Sequence, residues 1–163
     1  MKTAKQLKLT PTINMKYELT TNTQIVNGVT LHQIRALKDF GSIKEGDLGG
    51  WIEKTENLSQ DGNAWVSENA RVFGNAQVFG DAQVSGDAWV SGDAWVSENA
   101  WVSGNAWVLG DAQVLGNAWV CGDAQVYRNA RVFGNARVSG NARVSENAWV
   151  CGDAQVLGDG LAH

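Results

Sequence analysis

The feature that most constrains this chain is a six-residue unit, Asn/Asp-Ala-x-Val-x-Gly, repeated across residues 63–159. Alanine recurs at every sixth position from Ala64 to Ala154, and valine keeps the same spacing from Val66 to Val156. Because the two apolar residues of Ala-x-Val are two positions apart, an extended segment points both to one face and the residue between them to the other. The remaining x-Gly-Asn/Asp has the composition of a turn. A short fixed period of this kind is typical of a parallel β-helix.

Three such units make one coil of about 18 residues, so the sequence predicts a triangular stack with alanine and valine in a narrow interior. We therefore predict an all-β fold, a single-stranded parallel β-helix of hexapeptide repeats over residues 50–159. Counting back by sixes from Ala64, the alanine slot is occupied by Leu58 and Ile52, whose larger side chains would close the first coil.

A hairpin cap is predicted in front of the coils, over residues 14–49. Within it, apolar segments flank Asn27-Gly28, the strongest short hairpin signal. An end cover of this kind protects the open core and strand edge of a solenoid. Residues 1–13 and 160–163 are predicted to be flexible tails, and residues 1–13 lack the apolar segment of a signal peptide.

The turn between two successive strands forms a corner of the coil, and each corner requires one residue with positive φ. The glycine slot also contains Glu68, Glu98, Arg128 and Glu146, whereas the next slot is always asparagine or aspartate. Asparagine and aspartate tolerate the left-handed region better than long side chains do. We therefore predict that the Asn/Asp slot holds the left-handed residue.

Charge and cysteine content bear on the kind of partner and the compartment. The formal net charge is −4, and no lysine follows Lys54, so the repeats are acidic, which argues against nucleic acid as a partner. Residues 1–163 contain no apolar run long enough to cross a membrane. Cys121 and Cys151 occupy the same slot of well-separated units and should lie on different walls, which favours free thiols and a cytoplasmic location.

The outward slot between alanine and valine holds only tryptophan, glutamine and arginine. Aromatic residues with arginine are the composition of protein-interface hot spots. We therefore predict a non-catalytic protein-interaction surface and homo-oligomerisation to a dimer or trimer, with no cofactor and no metal. The predicted partner-binding residues are two belts and one further tryptophan: Trp89, Trp95, Trp101 and Trp107 in the first belt, Arg131, Arg137 and Arg143 in the second, and Trp119 between them.

Other interpretations of the same slot remain open. The side chains pack well in same-face ladders, so they can be structural only, and exposed tryptophans can also stack on sugars. An enzymatic alternative would use His32 as a general base. A zinc site with three histidine ligands is excluded, because the chain has only His32 and His163.

Two family resemblances add to this. The relation of Val66 to Ala70, repeated along the chain, resembles the hexapeptide-repeat left-handed β-helix proteins and implies a left-handed coil. The stretch LHQIRALKDFG followed by GDLGGWIEKTENLSQDGNAWV resembles the YdcK-like hexapeptide-repeat proteins of bacteria, phages and prophages. That resemblance implies an acyl-CoA-dependent acyltransferase as the alternative function. Its phage context implies an inhibitor of a host defence protein.

Overall fold

The structure, a computed structural model, describes residues 15–163. The predicted tail 1–13 therefore lies outside the described residues. Three longer strands come first: β1 (Tyr17–Val26), β2 (Val29–Ala36) and β3 (Leu48–Ile52), followed by a 3₁₀ turn at Thr55–Asn57. No helix in the described part of the chain is long and apolar enough to cross a bilayer.

Seventeen two-residue strands follow, one in each repeat unit. They are β4 (Trp65–Val66), β5 (Arg71–Val72), β6 (Gln77–Val78), β7 (Gln83–Val84), β8 (Trp89–Val90), β9 (Trp95–Val96), β10 (Trp101–Val102), β11 (Trp107–Val108), β12 (Gln113–Val114), β13 (Trp119–Val120), β14 (Gln125–Val126), β15 (Arg131–Val132), β16 (Arg137–Val138), β17 (Arg143–Val144), β18 (Trp149–Val150), β19 (Gln155–Val156) and β20 (Leu161–Ala162).

These strands form three parallel sheets, which we call walls 1 to 3. Wall 1 contains β4, β7, β10, β13, β16 and β19; wall 2 contains β3, β5, β8, β11, β14, β17 and β20; wall 3 contains β6, β9, β12, β15 and β18. Neighbours within a wall pair in register, as Trp101 does with Trp119, its equivalent in the next coil. The predicted parallel β-helix is thus confirmed as a β-solenoid, while its left-handed sense stays a prediction.

The interior of the solenoid is made of the repeated alanines and valines, as predicted. From Ala64 to Val144 every one of them is 0% exposed. The outward residue of each unit donates its backbone N–H to the alanine carbonyl of the next coil, as in Trp101 to Ala118 at 2.9 Å. Burial of small side chains and a continuous ladder of backbone hydrogen bonds together stabilise the stack.

The corner assignment from the sequence is wrong. The left-handed residue is in the glycine slot, where Glu68, Glu98, Arg128 and Glu146 have φ between 57° and 63°. The strain of positive φ arises at Cβ, so a long side chain costs no more than a short one.

The Asn/Asp slot has a different role from the one we predicted, because its side chains bond along the corner. Asn117, for example, accepts from Asn99 at 3.3 Å and donates to Asn135 at 3.1 Å. Since only asparagine can both donate and accept, an aspartate ends such a ladder.

Replacing Glu98 with glycine is expected to stabilise the protein by about 0.5–1 kcal/mol, because it removes a Cβ from a left-handed position. Replacing the adjacent Asn99 with glycine should instead destabilise by about 0.5–1.5 kcal/mol, since its hydrogen bond to Asn117 is lost. Denaturant unfolding of the two variants measures both effects. The reverse order of stability would contradict the corner assignment made from the structure.

The cap is a hairpin, as predicted, with Asn27 and Gly28 both at positive φ in its turn. Strand β1 is continuous, with an irregular register between Leu19 and Thr23. Strand β2 pairs antiparallel with β3, and β3 pairs parallel with β5. The cap and wall 2 are therefore one continuous sheet.

Two buried side chains at the start of the cap tie it to the first coil. The Tyr17 hydroxyl lies within hydrogen-bonding distance of two carbonyl oxygens, those of Thr55 at 2.9 Å and Leu58 at 2.6 Å, and its single proton is shared between them. Lys16 Nζ donates to the Ala64 carbonyl at 2.7 Å, and burial lowers the pKa of this amine to about 8. These bonds satisfy carbonyls that the irregular first coil leaves without a strand partner.

The first coil is longer than a regular one. Ile52 pairs with Val72 and Leu58 with Val78, so both occupy the valine slot rather than the alanine slot that we predicted. Both are buried, as expected of residues that close the core. The buried Asn57 side chain accommodates the longer coil by donating to the carbonyls of Gly74 and Ala76.

At the other end, the stretch predicted as a tail, residues 160–163, contains β20, which pairs with β17. The ladder therefore continues through Leu161 and Ala162. Residues 160–162, Gly-Leu-Ala, depart from the Asn/Asp-Ala-x-Val pattern, yet they contain a strand equivalent to those of the repeats.

Candidate protein-interaction surface

Each wall presents one outward residue per coil, because the residue between alanine and valine points away from the core. In the described chain most outward tryptophans are well exposed: Trp95, Trp101, Trp107, Trp119 and Trp149 are 40–64% exposed. Equivalent residues of successive coils lie one above the other on a wall, so the outward residues form three columns.

On wall 1, Trp101 and Trp119 stack with ring centroids 5.4 Å apart and planes 9° apart. The Arg137 guanidinium lies over the other face of the pair, 5.0 Å from the Trp119 ring. The column Trp101–Trp119–Arg137, which we call the wall 1 ridge, runs beside small residues such as Ser103 and Cys121. A rigid ridge therefore projects above a low strip.

On wall 2, Trp89 and Trp107 stack at 5.6 Å and 15°, and Arg71 lies 5.6 Å from the Trp89 ring. Phe73 contacts Trp89 edge-on at 5.7 Å. This column is flanked by larger side chains, including Leu109. Trp89 is consequently partly buried, and the wall 2 column is embedded more deeply than the wall 1 ridge.

Wall 3 has no stacked tryptophan pair in the described chain. Trp149 carries Arg131 over its ring at 5.4 Å and contacts Phe133 edge-on at 5.9 Å. Trp95 contacts Phe79 edge-on at 5.8 Å. Arg137 with Trp119 and Arg131 with Trp149 therefore form cation–π contacts between successive coils.

The two predicted belts do not share one face. The belt Trp89, Trp95, Trp101 and Trp107 goes round all three walls, and so does the belt of Arg131, Arg137 and Arg143. A partner on one flat wall contacts only members of one column. The structure therefore groups the predicted residues by column rather than by belt, and it adds Arg71 and three phenylalanine edges that the sequence did not assign.

A longer spacing relates three of the outward tryptophans. Trp89, Trp119 and Trp149 recur at every fifth unit in equivalent Trp-Val-x-Gly-Asp contexts. Since a coil takes three units, each step of five units advances one coil plus two walls. A five-unit period therefore places equivalent residues on different walls, and this period is visible in the sequence.

The three arginines of the predicted belt form no ion pair within the described residues. Within residues 15–163 the ion pairs are Arg35–Glu18, Lys44–Asp39 and Arg128–Glu146, so Arg131, Arg137 and Arg143 are in none of them. Arg131 and Arg137 present guanidinium donors beside an aromatic ring. Arginine on an aromatic face suits both stacking and bidentate bonds to carboxylates.

The candidate metal ligands and histidines of the described residues are scattered over the fold. No three His, Cys, Asp or Glu side chains within residues 15–163 are arranged to hold a metal ion. His32 lies half-buried in cap strand β2, while His163 follows β20 at the opposite end, with Nδ1 3.4 Å from Ser145 Oγ. The two histidines therefore do not come together.

The fold and its walls define the class: this is a hexapeptide-repeat β-solenoid protein. Residues 82–98 and 136–152 match the family model described as YdcK beta solenoid repeat, which confirms the resemblance to YdcK-like proteins for the repeats. Over 38 residues the chain is 45% identical to "Uncharacterized acetyltransferase YdcK" of Escherichia coli (strain K12). That alignment covers 23% of this chain and 12% of the relative, so the chain matches a small part of that protein's length.

Proposed function

We propose that this solenoid is a non-catalytic protein-interaction module whose principal contact surface is the wall 1 ridge. The observation that carries the proposal is the stacked, exposed pair Trp101–Trp119 closed by Arg137. Tryptophan and arginine are the residues most enriched in binding hot spots. Neighbours in the column already hold these side chains in place. Binding a partner therefore costs them little side-chain entropy.

The proposed partner is a protein. In one form of the proposal it is a second or third copy of this chain, and in the other it is a different protein. The small residues beside the wall 1 ridge leave room for the wall of another copy to approach it. A more specific form of the proposal is that the chain inhibits a host defence protein. The resemblance to YdcK-like proteins of phages and prophages supports this form. Carboxylate-bearing partner segments would suit Arg137, which is in none of the ion pairs of the described chain.

Light scattering on the double variant Trp101→Ala/Trp119→Ala tests the proposal. We expect the wild type to show a mass of two or three times 17.5 kDa. The double variant should dissociate at least about 30-fold more readily, since a single hot-spot residue contributes about 2 kcal/mol. Gln77→Ala, an exposed change in the same slot on wall 3, is the control and should leave the mass unchanged.

Immobilised wild type and double variant, exposed to the same bacterial lysate, test the foreign-partner form. A protein retained by the wild type and by Gln77→Ala, but lost from the double variant, supports a hot spot on wall 1. The proposal fails if the double variant keeps both the wild-type mass and the wild-type set of bound proteins.

Acyl transfer is the second candidate, favoured by the word acetyltransferase in the name of the E. coli relative. His32 would then act as general base from strand β2 of the cap. Acetyl-CoA consumption in the presence of amine and hydroxyl acceptors, lost in His32→Ala, would establish this activity and displace the non-catalytic proposal.

A further inference from the structure

Trp101 is the first tryptophan of its stack, so its two faces differ. One face is covered by Trp119 in the following coil. The opposite face points back towards Gln83, its in-register neighbour in the preceding coil, and towards the cap. With 47% of Trp101 exposed, this open face is available to a ligand.

Gln83 is held away from that open face. Its Nε2 donates to the backbone carbonyl of Asn63 at 3.0 Å and to that of Asp81 at 3.4 Å, so the amide is directed to the corner. Same-face neighbours on adjacent strands are close enough for their side chains to pack together, so a glutamine here could otherwise cover the indole. The two hydrogen bonds instead keep the space above Trp101 open.

The space forms an open groove of about 420 Å³ between the cap and wall 1. It is lined by Ser42 of the cap connection and by Ser67, Asp81, Gln83, Ser85 and Trp101 of the first coils. This volume is within the range of small-ligand sites. The lining combines one aromatic face with hydroxyl, amide and carboxylate groups, and none of these lining side chains is basic.

That combination fits the amphipathic shape of a sugar ring. A pyranose has an apolar C–H face, which suits the negative face of an indole. Its edge hydroxyls require fixed donors and acceptors. Asp81 is fixed in place because one carboxylate oxygen accepts from Asn63 N–H at 3.2 Å, which leaves further acceptor sites for two hydroxyl donors. The carboxylate also disfavours an anionic ligand.

We infer that this groove is a saccharide-binding site, with one neutral pyranose ring stacked on the open face of Trp101 and its hydroxyls bonded to Asp81, Gln83 and the groove serines. The site shares Trp101 with the wall 1 ridge but uses the face opposite Trp119, and its polar groups precede the ridge in the column. Saccharide binding therefore does not depend on the proposed protein partner.

Titration with D-glucose, D-galactose, N-acetyl-D-glucosamine and their β-linked trisaccharides, followed by NMR of the indole N–H groups, tests the inference. At least one sugar should shift the Trp101 indole signal and the Gln83 side-chain amide signals together. Trp101→Ala should weaken binding at least tenfold, and Asp81→Asn about three- to tenfold, as expected for one hydrogen bond to a charged group.

Trp107→Ala is the matched control. Trp107 also ends a stack and is 40% exposed, but its open face points towards Gln125, away from the cap. This variant should bind as the wild type does. Ser85→Leu adds a larger side chain to the groove at the edge of Trp101, the position from which Phe73 contacts Trp89, and keeps Trp101 in place. It should abolish binding, so a folding defect in Trp101→Ala does not decide the result.

Three outcomes would overturn the inference. One is no shift with any of these sugars at about 20 mM, where a millimolar site would be almost fully occupied. A second is equal response of Trp101 and Trp107, which indicates non-specific contact with exposed indoles. The third is unchanged affinity in Ser85→Leu.

Discussion

Replacing Trp65 with alanine is expected to lower the free energy of unfolding by about 3–5 kcal/mol, the usual cost of removing a buried tryptophan. Trp65 is 1% exposed and lies between the cap and the first coil. It contacts Tyr17 and Phe40 edge-on, with ring centroids 6.4 Å and 5.3 Å away. Its removal would leave a cavity at the junction, so the cap should loosen before the coils unfold.

Trp101→Ala is the matched comparison, because it deletes the same side chain from the same slot of the repeat. Trp101 is half-exposed and loses one stacking partner, so we expect about 0.5–1.5 kcal/mol. Denaturant unfolding gives both values, and hydrogen exchange in β1 and β2 reports the cap separately. Equal destabilisation by the two changes would contradict the burial difference on which this prediction depends.

The second large effect is expected from Val102→Asp, at more than about 4 kcal/mol, because it places an unpaired carboxylate in a dry interior. Val102 is 0% exposed and stacks between Val84 and Val120. A solenoid is stabilised mainly by contacts between neighbouring coils. The substitution should therefore divide the stack into two units that unfold separately.

The expected pattern is retained amide protection near the cap and lost protection from β10 onwards, measured by hydrogen exchange. Ser103→Asp is the control, one residue further along on the outward side, and should change stability by no more than about 0.5 kcal/mol. Uniform loss of protection from cap to C-terminal coil would show that the solenoid unfolds as a single cooperative unit instead.

The Trp65 and Trp101 comparison also shows what the repeat pattern does and does not encode. Both occupy the same slot, and the sequence predicts both to point outward. The structure confirms the outward direction for Trp101, but the cap covers Trp65. A periodic pattern specifies direction relative to the coil, whereas burial depends on what packs against that position from another part of the chain.

The backbone conformation of the corner residues is likewise only partly encoded by the repeat pattern. The sequence shows which residue types alternate at the turn, but the choice between two adjacent slots for positive φ was wrong. Glu98 takes that conformation, while the adjacent Asn99 donates a hydrogen bond to Asn117 of the next coil. Such bonds connect residues of successive coils, so propensities of single residues could not reveal them.

The sequence by itself determined the all-β solenoid, its inward alanines and valines, its hairpin cap and the register of the outward columns. It could do so because each of these depends on alternation and on a fixed period, which are local properties. Only the tertiary structure decided which aromatic faces are covered, which arginines stack on them and where the groove beside Trp101 opens. Those features depend on contacts between neighbouring coils and between the cap and the first coils, whose geometry the repeat pattern does not specify.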